Sequence, residues 1–572
     1  MIAHFNRDFF STDQTFSIIG SGEIGGKASG LAFFREKIRA RLGATSSPAI
    51  SVDVPRLAIV ATNVFDAFVK RNSIDPASLE GLADDRIAHL FQRAEMPAEV
   101  VGDLRGLIAS VHTPLAVRSS SLLEDARERP FAGVYATKMT PNNQPEADAR
   151  FRRLVEAIKF VYASTFFEGA RSYRRAAGIA EGTEKMAVVI QEVVGSRRGD
   201  HYYPEISGVA RSYNYYPSGH ARPADGVVEL ALGLGKTIVD GEGGWSYSPA
   251  FPKAPPPYNT IDELLKQSQT HFWAVNMGKP GAYDPLRETE YLVHLDLKDA
   301  EAEGSLRFVA STFDPSSNRL SPGVSIRGPR LLNFAPILVH NQVPVNGAVK
   351  ELLAACTDAA ATPVEVELAV TIESTPRIGF LQVRPMLMPC ERITIDDSEM
   401  HCAEVVVSSD KLLGNGMLES IADVVYVKPE SFDAAATEAI ALELDQINRQ
   451  LLAAHRPYLL IGFGRWGTSD PRGGIPVKWG QISGAKVIVE STAAGMGADL
   501  SQGSHFFHNL TSFGVIYFSI RQGDAAHRID WDWLATRTAA AESRFLRHIQ
   551  LRCPLVIKAD GINRRGVVRR RS

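Results

Sequence analysis

Apolar and polar positions alternate with two different periods along this chain, and these periods predict both helices and strands. Residues 22–41 read as a glycine-rich turn that opens a helix, with an apolar face at Leu31, Phe33, Phe34 and Ile38. Further helices are predicted at 62–69, 79–94, 149–177 and 347–360. Strand-length apolar runs lie at 55–60, 115–117, 186–194, 207–215, 364–372 and 378–384. Residues 286–312 are predicted as two strands around a polar turn.

After Pro389 the alternation starts again. Strands are predicted at 404–407, 458–461, 486–490, 515–520 and 555–557, with helices at 434–455 and ending at 545–549. The whole pattern predicts an α/β (α+β) chain, in which residues 391–572 form a smaller C-terminal α/β domain of unknown role.

The composition is that of an ordinary globular chain. The 572 residues are 45% hydrophobic and 22% charged, with a net charge of −3, which favours two to four domains and argues against a protein built to bind nucleic acid. The basic tail with Arg564-Arg565 and Arg569-Arg570-Arg571 is expected to form a solvated, mobile end, and a nucleic-acid or membrane contact is the alternative. No run approaches the ~20 apolar residues that cross a bilayer. Four cysteines without CxxC spacing, and a beginning unlike a secretory signal, lead us to expect a cytoplasmic protein.

Three segments far apart in the chain each offer one cation in a setting suited to polyphosphate. They are Gly25–Leu31 with Lys27, Val117–Ser121 with Arg118, and Leu381–Pro385 with Arg384. The first two surround the cation with small or hydroxyl residues that leave backbone N–H groups accessible. Behind the second segment come Glu124-Asp125 and Phe131-Ala132-Gly133.

In this order and at these intervals the segments resemble the ATP-binding domain of pyruvate phosphate dikinase and phosphoenolpyruvate synthase, a member of the ATP-grasp superfamily. The resemblance covers about 18–386. Intermediate landmarks agree with it: the strand at 186–194, Ser207-Gly208-Val209-Ala210, Glu229–Gly235 and the acidic strand at 365–370. It implies two ATP-grasp subdomains, roughly 1–240 and 241–390.

The resemblance also implies a set of site residues. Lys27, Arg118 and Arg384 would hold and polarise the phosphates of ATP. The segment Phe131-Ala132-Gly133 would lie in a mobile lid over the nucleotide. The remaining nucleotide ligands that it implies are Ser119, Ser120, Gln191, Val193 and Gln382, of which Gln191 to Val193 form the adenine hinge through backbone groups.

Magnesium is the implied metal, because two carboxylates on one strand face suit Mg²⁺ together with phosphate oxygens. Glu367 is the stronger candidate and Glu365 the weaker. For each group a plainer interpretation stays open. Lys27 could be a solvated lysine at a helix start, Arg118 could pair with Glu124 or Asp125, and the two acids could lie on an exposed strand face.

The chain departs from the dikinases after Met386. It lacks the Gly-Gly-x-Thr-Ser-His-Ala segment whose histidine is phosphorylated, and the remaining residues are too few for a barrel of ~250 residues. The resemblance therefore implies the ATP half of the chemistry and does not imply that pyruvate is the acceptor.

Two C-terminal segments carry candidate chemistry. Gly462–Gly467 satisfies Gly-x-Gly-x-x-Gly, but the Pro- and Gly-rich residues that follow cannot continue a helix, so we do not predict a dinucleotide site. Arg465, Arg472 and Lys478 form either an anion-binding loop for the acceptor or a structural loop.

The second C-terminal segment contains His505 and His508 in a Ser- and Gly-rich turn entering a predicted helix. His505 is a candidate phosphoacceptor, since a helix N-terminus would stabilise phosphate on it. Another active-site role and plain packing are the alternatives. A zinc site lacks further obvious ligands, although Glu490 could supply one.

These observations predict an ATP-dependent phosphotransferase that uses Mg²⁺ and ATP. The acceptor is either His505, a histidine on a partner protein, or a small molecule held by the C-terminal domain. The alternatives are an ATP-grasp ligase that makes an acyl phosphate and releases ADP, and a non-catalytic ATP sensor.

Overall fold

The computed structural model describes residues 2–571 except for 10–13, 46–49, 125–132, 181, 216, 218, 241–243, 255–260, 262–263, 266–267, 280, 373–374, 387–392, 469–472, 493–509, 511–512 and 525, and except for the side chains of 42–45 and 176. Across the described residues, no helix combines the length and the apolar character needed to cross a membrane. The fold is mixed α/β, which confirms the predicted class. The chain forms two compact units: unit 1 comprises Met1–Arg171, Ile179–Val239 and Gly243–Met386, and unit 2 comprises Ser172–Gly178, Asp240–Glu242 and Leu387–Ser572.

The strands before residue 387 are, in chain order, β1 (Ala3–His4), β2 (Phe16–Ile19), β3 (Ser51–Asp53), β4 (Leu57–Val60), β5 (Leu115–Ser121), β6 (Thr137–Thr140), β7 (Met186–Glu192), β8 (Ser196–Arg198), β9 (His201–Tyr203), β10 (Ile206–Arg211), β11 (Val227–Ala231), β12 (Trp245–Tyr247), β13 (His271–Asn276), β14 (Leu292–Asp296), β15 (Ala310–Asp314), β16 (Arg319–Pro322), β17 (Arg330–Leu332), β18 (Val364–Thr371) and β19 (Arg377–Pro385).

The α-helices before residue 387 are α1 (Gly25–Thr45), α2 (Thr62–Arg71), α3 (Asp84–Arg93), α4 (Ala98–Ser110), α5 (Ala147–Ser164), α6 (Glu168–Ala176), α7 (Lys236–Val239), α8 (Leu297–Ala302), α9 (Ala335–Leu338) and α10 (Val345–Ala360). Short 3-10 helices lie at Pro76–Leu79, Pro223–Asp225 and Ser305–Phe308.

Two six-stranded sheets position the candidate site in unit 1. Sheet 1 has the order β1-β2-β4-β7-β5-β6, and sheet 2 has the order β12-β11-β10-β18-β19-β3. Sheet 3 (β14-β13-β9-β8) and sheet 4 (β16-β15-β17) complete the unit. In sheets 2 and 3, strands from before residue 240 pair with strands from after it, as β10 does with β18. The boundary expected at residue 240 thus runs through two shared sheets, and the division into two ATP-grasp subdomains stays a prediction.

Helix α1 forms because its apolar positions recur on one face, which packs against α10 and β19. Ala28, Leu31, Phe34 and Ile38 are buried there. Phe33 is 48% exposed, so its placement on the apolar face was wrong. It lies one position before Phe34, and neighbouring helical residues point about 100° apart.

Two other predicted elements of unit 1 differ from the structure. The single helical region expected at 149–177 is two helices, since α5 ends at Ser164 and α6 begins at Glu168. Within 286–312, strands β14 and β15 are joined through α8, whose N-cap is Asp296. The side chain of Asp296 accepts a hydrogen bond from the N–H of Lys298, which satisfies one of the free donors at the start of this helix.

The strands after residue 392 are β20 (Val405–Ser409), β21 (Leu412–Leu413), β22 (Gly416–Val427), β23 (Tyr458–Phe463), β24 (Arg465–Trp466), β25 (Gly474–Ile475), β26 (Ala485–Ser491), β27 (Ile516–Ile520), β28 (Arg528–Ile529), β29 (Ala539–Glu542), β30 (Leu546–Asp560) and β31 (Arg565–Arg569). The helices are α11 (Asp397–His401), α12 (Thr437–Ala453) and α13 (Trp531–Ala535), with 3-10 helices at Pro429–Ser431, Ala434–Ala436 and Trp479–Gln481.

Unit 2 is built on one large sheet whose centre is parallel. Strands β22, β23, β26 and β27 pair in parallel as neighbours, and β30 pairs antiparallel with β22. The predicted helix ending at 545–549 is wrong, because those residues begin the long strand β30. The predicted last strand at 555–557 is part of β30, and β31 follows it.

The C-terminal arginines and one buried carboxylate are held by ion pairs in unit 2. Arg565 and Arg569 begin and end β31, and Arg571 lies 2.9 Å from Glu419, so part of the basic end that was expected to be mobile belongs to the sheet.

Asp423 accepts hydrogen bonds from His548, 2.7 Å away, and from Arg456. Burial alone would raise the pKa of Asp423, but these two partners outweigh it and hold the pKa below its ordinary value.

Candidate functional site

The start of α1 lies directly on the end of β5 and on the backbone that follows it. A Cβ atom added to Gly25 would be 1.7 Å from the carbonyl oxygen of Ser120, and one added to Gly26 would be 1.7 Å from that of Glu124. Gly25 also has a φ of 76°, which glycine adopts without strain. The double glycine is therefore required by close approach of two backbone segments, and it brings Lys27 to the end of β5.

Lys27 is held in an almost completely buried ion pair. Its Nζ lies 2.6 Å from Glu124 Oε1 and donates to Ser119 Oγ at 3.1 Å. The carboxylate of Glu124 also accepts from the N–H of Ser121 at 2.8 Å. Lys27 is thus not a solvated lysine, and Glu124 pairs with Lys27 rather than with Arg118.

The serines predicted as phosphate ligands are buried and used within the protein. Ser120 Oγ accepts from the N–H of Ala28 at 3.1 Å and donates to the carbonyl of Ile24 at 2.8 Å, so it caps α1. Ser119 and Ser120 are both fully buried. These hydroxyls fix Lys27 and α1 in place, and their role as phosphate ligands stays a prediction.

Arg118 extends from β5 of sheet 1 to oxygen atoms of sheet 2. Its Nη1 donates to the carbonyl of Leu381 at 3.0 Å, and its Nη2 donates to Gln382 Oε1 at 2.8 Å. Nη2 also lies 3.4 Å from Glu367 Oε2. The structure therefore brings the second and third predicted segments into direct contact, and Lys27 adjoins them through Ser119, the neighbour of Arg118.

The two acids of β18 share one face and are paired with arginines. In the antiparallel register Glu365 lies opposite Arg384, and Glu367 lies opposite Gln382. Arg384 Nη1 is 3.4 Å from Glu365 Oε1, and its Nη2 is 3.2 Å from Glu367 Oε1. Glu365 is buried and also contacts Arg211 Nε at 2.7 Å. The alternative of an exposed acidic strand face is thereby excluded.

Arg211 is a member of this network that the sequence analysis missed. It ends β10, opposite Glu365 in register, and its side chain is 4% exposed. The sequence could have indicated Arg211, because it follows Ser207 and Val209 at two-residue intervals and such residues share one face of a strand.

The oxygen donors fit magnesium. Glu367 and Gln382 offer a carboxylate and an amide oxygen from adjacent strands, and Mg²⁺ takes one or two carboxylates together with phosphate oxygens. Within the described ranges, no group of three or more His, Cys, Asp or Glu side chains is arranged to hold a metal ion. Glu367 and Gln382 would hold the metal, and it would neutralise charge on the nucleotide phosphates.

The predicted hinge residues Gln191 and Val193 are engaged within the protein. Gln191 is buried, with Oε1 3.5 Å from Arg118 Nη1. The N–H of Val193 donates to the carbonyl of Pro114 at 2.9 Å, and its carbonyl accepts from Tyr202 Oη at 3.2 Å. The role of these residues as the adenine hinge stays a prediction.

In unit 2 the Gly462–Gly467 segment opens no helix. Arg465 and Trp466 form β24, which pairs in parallel with β25, and the indole N–H of Trp466 donates to the carbonyl of Val489 at 3.2 Å. Arg465 is half-buried and Lys478 is exposed. The other candidates named for an acceptor or lid, Arg472, His505, His508, Asp125, Phe131 and Ala132, lie outside the described residues.

Fold and site together define an α/β protein with a charged, oxygen-rich site between two sheets of unit 1. The chain belongs to the family of the pyruvate phosphate dikinase AMP/ATP-binding domain, whose profile matches residues 21–392. This confirms the family predicted from the three segments.

Three named relatives are similar to part of this chain. Phosphoenolpyruvate synthase of Aeropyrum pernix is 30% identical over 233 residues, covering 38% of this chain and 26% of that protein. Rifampicin phosphotransferase of Streptomyces sviceus is 31% identical over 205 residues, covering 33% and 22%. An uncharacterised phosphotransferase of Bacillus subtilis is 28% identical over 188 residues, covering 33% and 20%. The chain therefore matches only about a quarter or less of the length of these relatives.

Proposed function

We propose that the chain is an ATP-dependent phosphotransferase of the dikinase type, built on an ATP-grasp arrangement of sheets 1 and 2. One observation carries the proposal. Arg118 and Arg384 meet Glu367 and Gln382 from three separate strands, and this set combines phosphate-binding cations with ligands for Mg²⁺. Pure nucleotide binding does not require all of these groups.

Each residue has a distinct task in this proposal. Arg118 and Arg384 polarise the phosphates, and a donor that stabilises transferring charge contributes ~3–4 kcal/mol to the rate. Lys27, fixed by Glu124, supplies a further positive charge beside them. Glu367 and Gln382 hold Mg²⁺, while Glu365 stays paired with Arg211 and Arg384 and acts by positioning them. The relatives named as phosphotransferases support the reaction class.

The test is incubation of the purified full chain with Mg²⁺ and ATP labelled at the β or γ phosphate. AMP with β-label on an acceptor supports dikinase-type transfer, whereas ADP alone points to a kinase or an acyl-phosphate ligase. Nucleotide binding without turnover against every acceptor tried, pyruvate and rifampicin among them, would make the protein a sensor and overturn the proposal.

Matched variants connect turnover to the site. Arg384→Met should lower kcat by ~10²–10³-fold, since it removes one donor to the transferring phosphate. Arg330→Met is the control, because Arg330 of β17 pairs with Glu301 of α8 and is not among the residues assigned to the site. Equal activity of both variants would contradict the role assigned to Arg384.

A further inference from the structure

The guanidinium of Arg118 lies at the point where two candidate metal ligands converge. Its Nη2 is 2.8 Å from Gln382 Oε1 and 3.4 Å from Glu367 Oε2, so side-chain oxygens from adjacent strands are aimed at a single cationic nitrogen. The carbonyl of Leu381 fixes Nη1 at 3.0 Å. Arg118 is therefore docked on sheet 2 by three oxygens.

A magnesium ion and this guanidinium would compete for the same two oxygens. An ion held by Glu367 and Gln382 would bind the oxygens that Nη2 now contacts, and its charge would repel the guanidinium. Arg118 is also the residue proposed to contact the nucleotide phosphates. The same side chain thus has two alternative sets of partners, and the structure holds the one on sheet 2.

We propose that Arg118 is the resident counter-cation of the metal site, and that Mg²⁺ enters as Arg118 transfers to the phosphates of the nucleotide. This rests on the nucleotide site proposed above. Glu367 also pairs with Arg384 at 3.2 Å, so the exchange keeps two cations beside it throughout: Arg384, and either Arg118 or the metal ion. This matters because the side chains of Glu367 and Arg118 are only 18% and 14% exposed, and loss of one of the partners of a largely buried carboxylate is costly.

The exchange makes binding of metal and nucleotide cooperative. Without nucleotide, Arg118 has no anion to move to, so a metal ion must displace it from three oxygens without compensation. With nucleotide, the phosphates accept the guanidinium and release Glu367 and Gln382. Because coupling between two ligands is reciprocal, Mg²⁺ strengthens nucleotide binding by the same factor.

Mn²⁺ serves as the probe, since the signal of the free ion in electron paramagnetic resonance reports how much is bound. Binding is measured on the full chain without nucleotide. The natural protein should bind Mn²⁺ weakly, and Arg118→Met should bind it about tenfold more tightly or better. Adding Glu367→Gln to that variant should remove the gain. Arg153→Met, which breaks a pair with Glu156 on α5, should leave Mn²⁺ binding unchanged.

Circular dichroism shows whether each variant is folded, and Arg118→Lys provides a second variant that keeps the charge but cannot make the same fork of contacts. Arg118→Lys should gain Mn²⁺ affinity by an intermediate amount. A folded Arg118→Met protein that binds Mn²⁺ no better than the natural chain would overturn the proposal. Absence of ATP turnover would overturn the phosphotransferase function alone, since this comparison is made without nucleotide.

Discussion

Replacing Glu124 by glutamine removes one charge from an ion pair that is almost wholly buried. The side chains of Lys27 and Glu124 are 10% and 1% exposed, with 2.6 Å between Nζ and Oε1. Glutamine keeps the size and an acceptor oxygen but leaves the ammonium without a counter-charge. Breaking a buried pair in this way costs ~3–5 kcal/mol, because the remaining charge stays desolvated.

We therefore expect Glu124→Gln to lower the free energy of unfolding in urea by about 3 kcal/mol or more, at an unchanged slope. Glu95→Gln is the matched control. It breaks a pair with Arg71 at 2.8 Å, but those side chains are 74% and 48% exposed, and exposed pairs contribute only ~0.2–1 kcal/mol. The double variant Lys27→Met with Glu124→Gln should recover most of the loss, since no uncompensated charge remains.

Two results would refute this reasoning. One is a cost of Glu124→Gln no larger than that of Glu95→Gln. The other is a double variant no more stable than Glu124→Gln alone. Either would mean that Lys27 is hydrated in solution and that Glu124 does not fix its position.

Gly26→Ala should destabilise unit 1 by at least ~1–3 kcal/mol in thermal unfolding, because the added Cβ would be 1.7 Å from a backbone oxygen. Gly30→Ala is the control and should be neutral or stabilising, because its added Cβ would have 4.0 Å to the nearest atom. Equal effects of the two variants would contradict the close approach at Gly26. Asp423→Asn should cost ~3–5 kcal/mol at pH 7. Because the pKa of Asp423 is lowered on folding, its contribution is present above pH ~4 and is lost as the pH falls through the folded pKa. The difference in urea unfolding between the natural chain and this variant should therefore shrink in acid, and a constant difference would argue against the ion pairs of Asp423.

Local periodicity was enough to predict the acidic strand and its partner. Glu365 and Glu367 alternate with apolar residues, and so do Gln382 and Arg384, which places each pair on one face whatever the rest of the chain does. The antiparallel register then sets Glu367 opposite Gln382. This part of the candidate site depends on residues that are close in sequence, and for that reason the sequence predicted it.

The Lys27–Glu124 ion pair could not be predicted from the sequence, because it depends on packing between distant segments. Glu124 and Lys27 are 97 positions apart, and only the close approach permitted by Gly25 and Gly26 brings them together. The same approach buries the hydroxyls of Ser119 and Ser120, which the resemblance implies as nucleotide ligands. The Gly-Gly pair was the available signal, since adjacent glycines often mark backbones in contact.

Helix and strand were confused where the apolar pattern was short. Leu546 and Ile549 are three residues apart, a spacing typical of a helix, but both lie in β30. Pairing of β30 with β22 along most of its length overrides that local preference.

The parallel pairing of β3 with β19 also bears on how the chain is synthesised. It joins Ser51 to Arg377, so the first strand of this pair waits for its partner while more than 300 further residues are translated. At ~5–20 residues per second the wait is on the order of 15–60 s. During that interval the nascent chain presents unpaired strand edges, which are templates for association with other chains. Fragments that stop before Arg377 would keep this strand edge unpaired, and we expect them to aggregate more readily than the full chain.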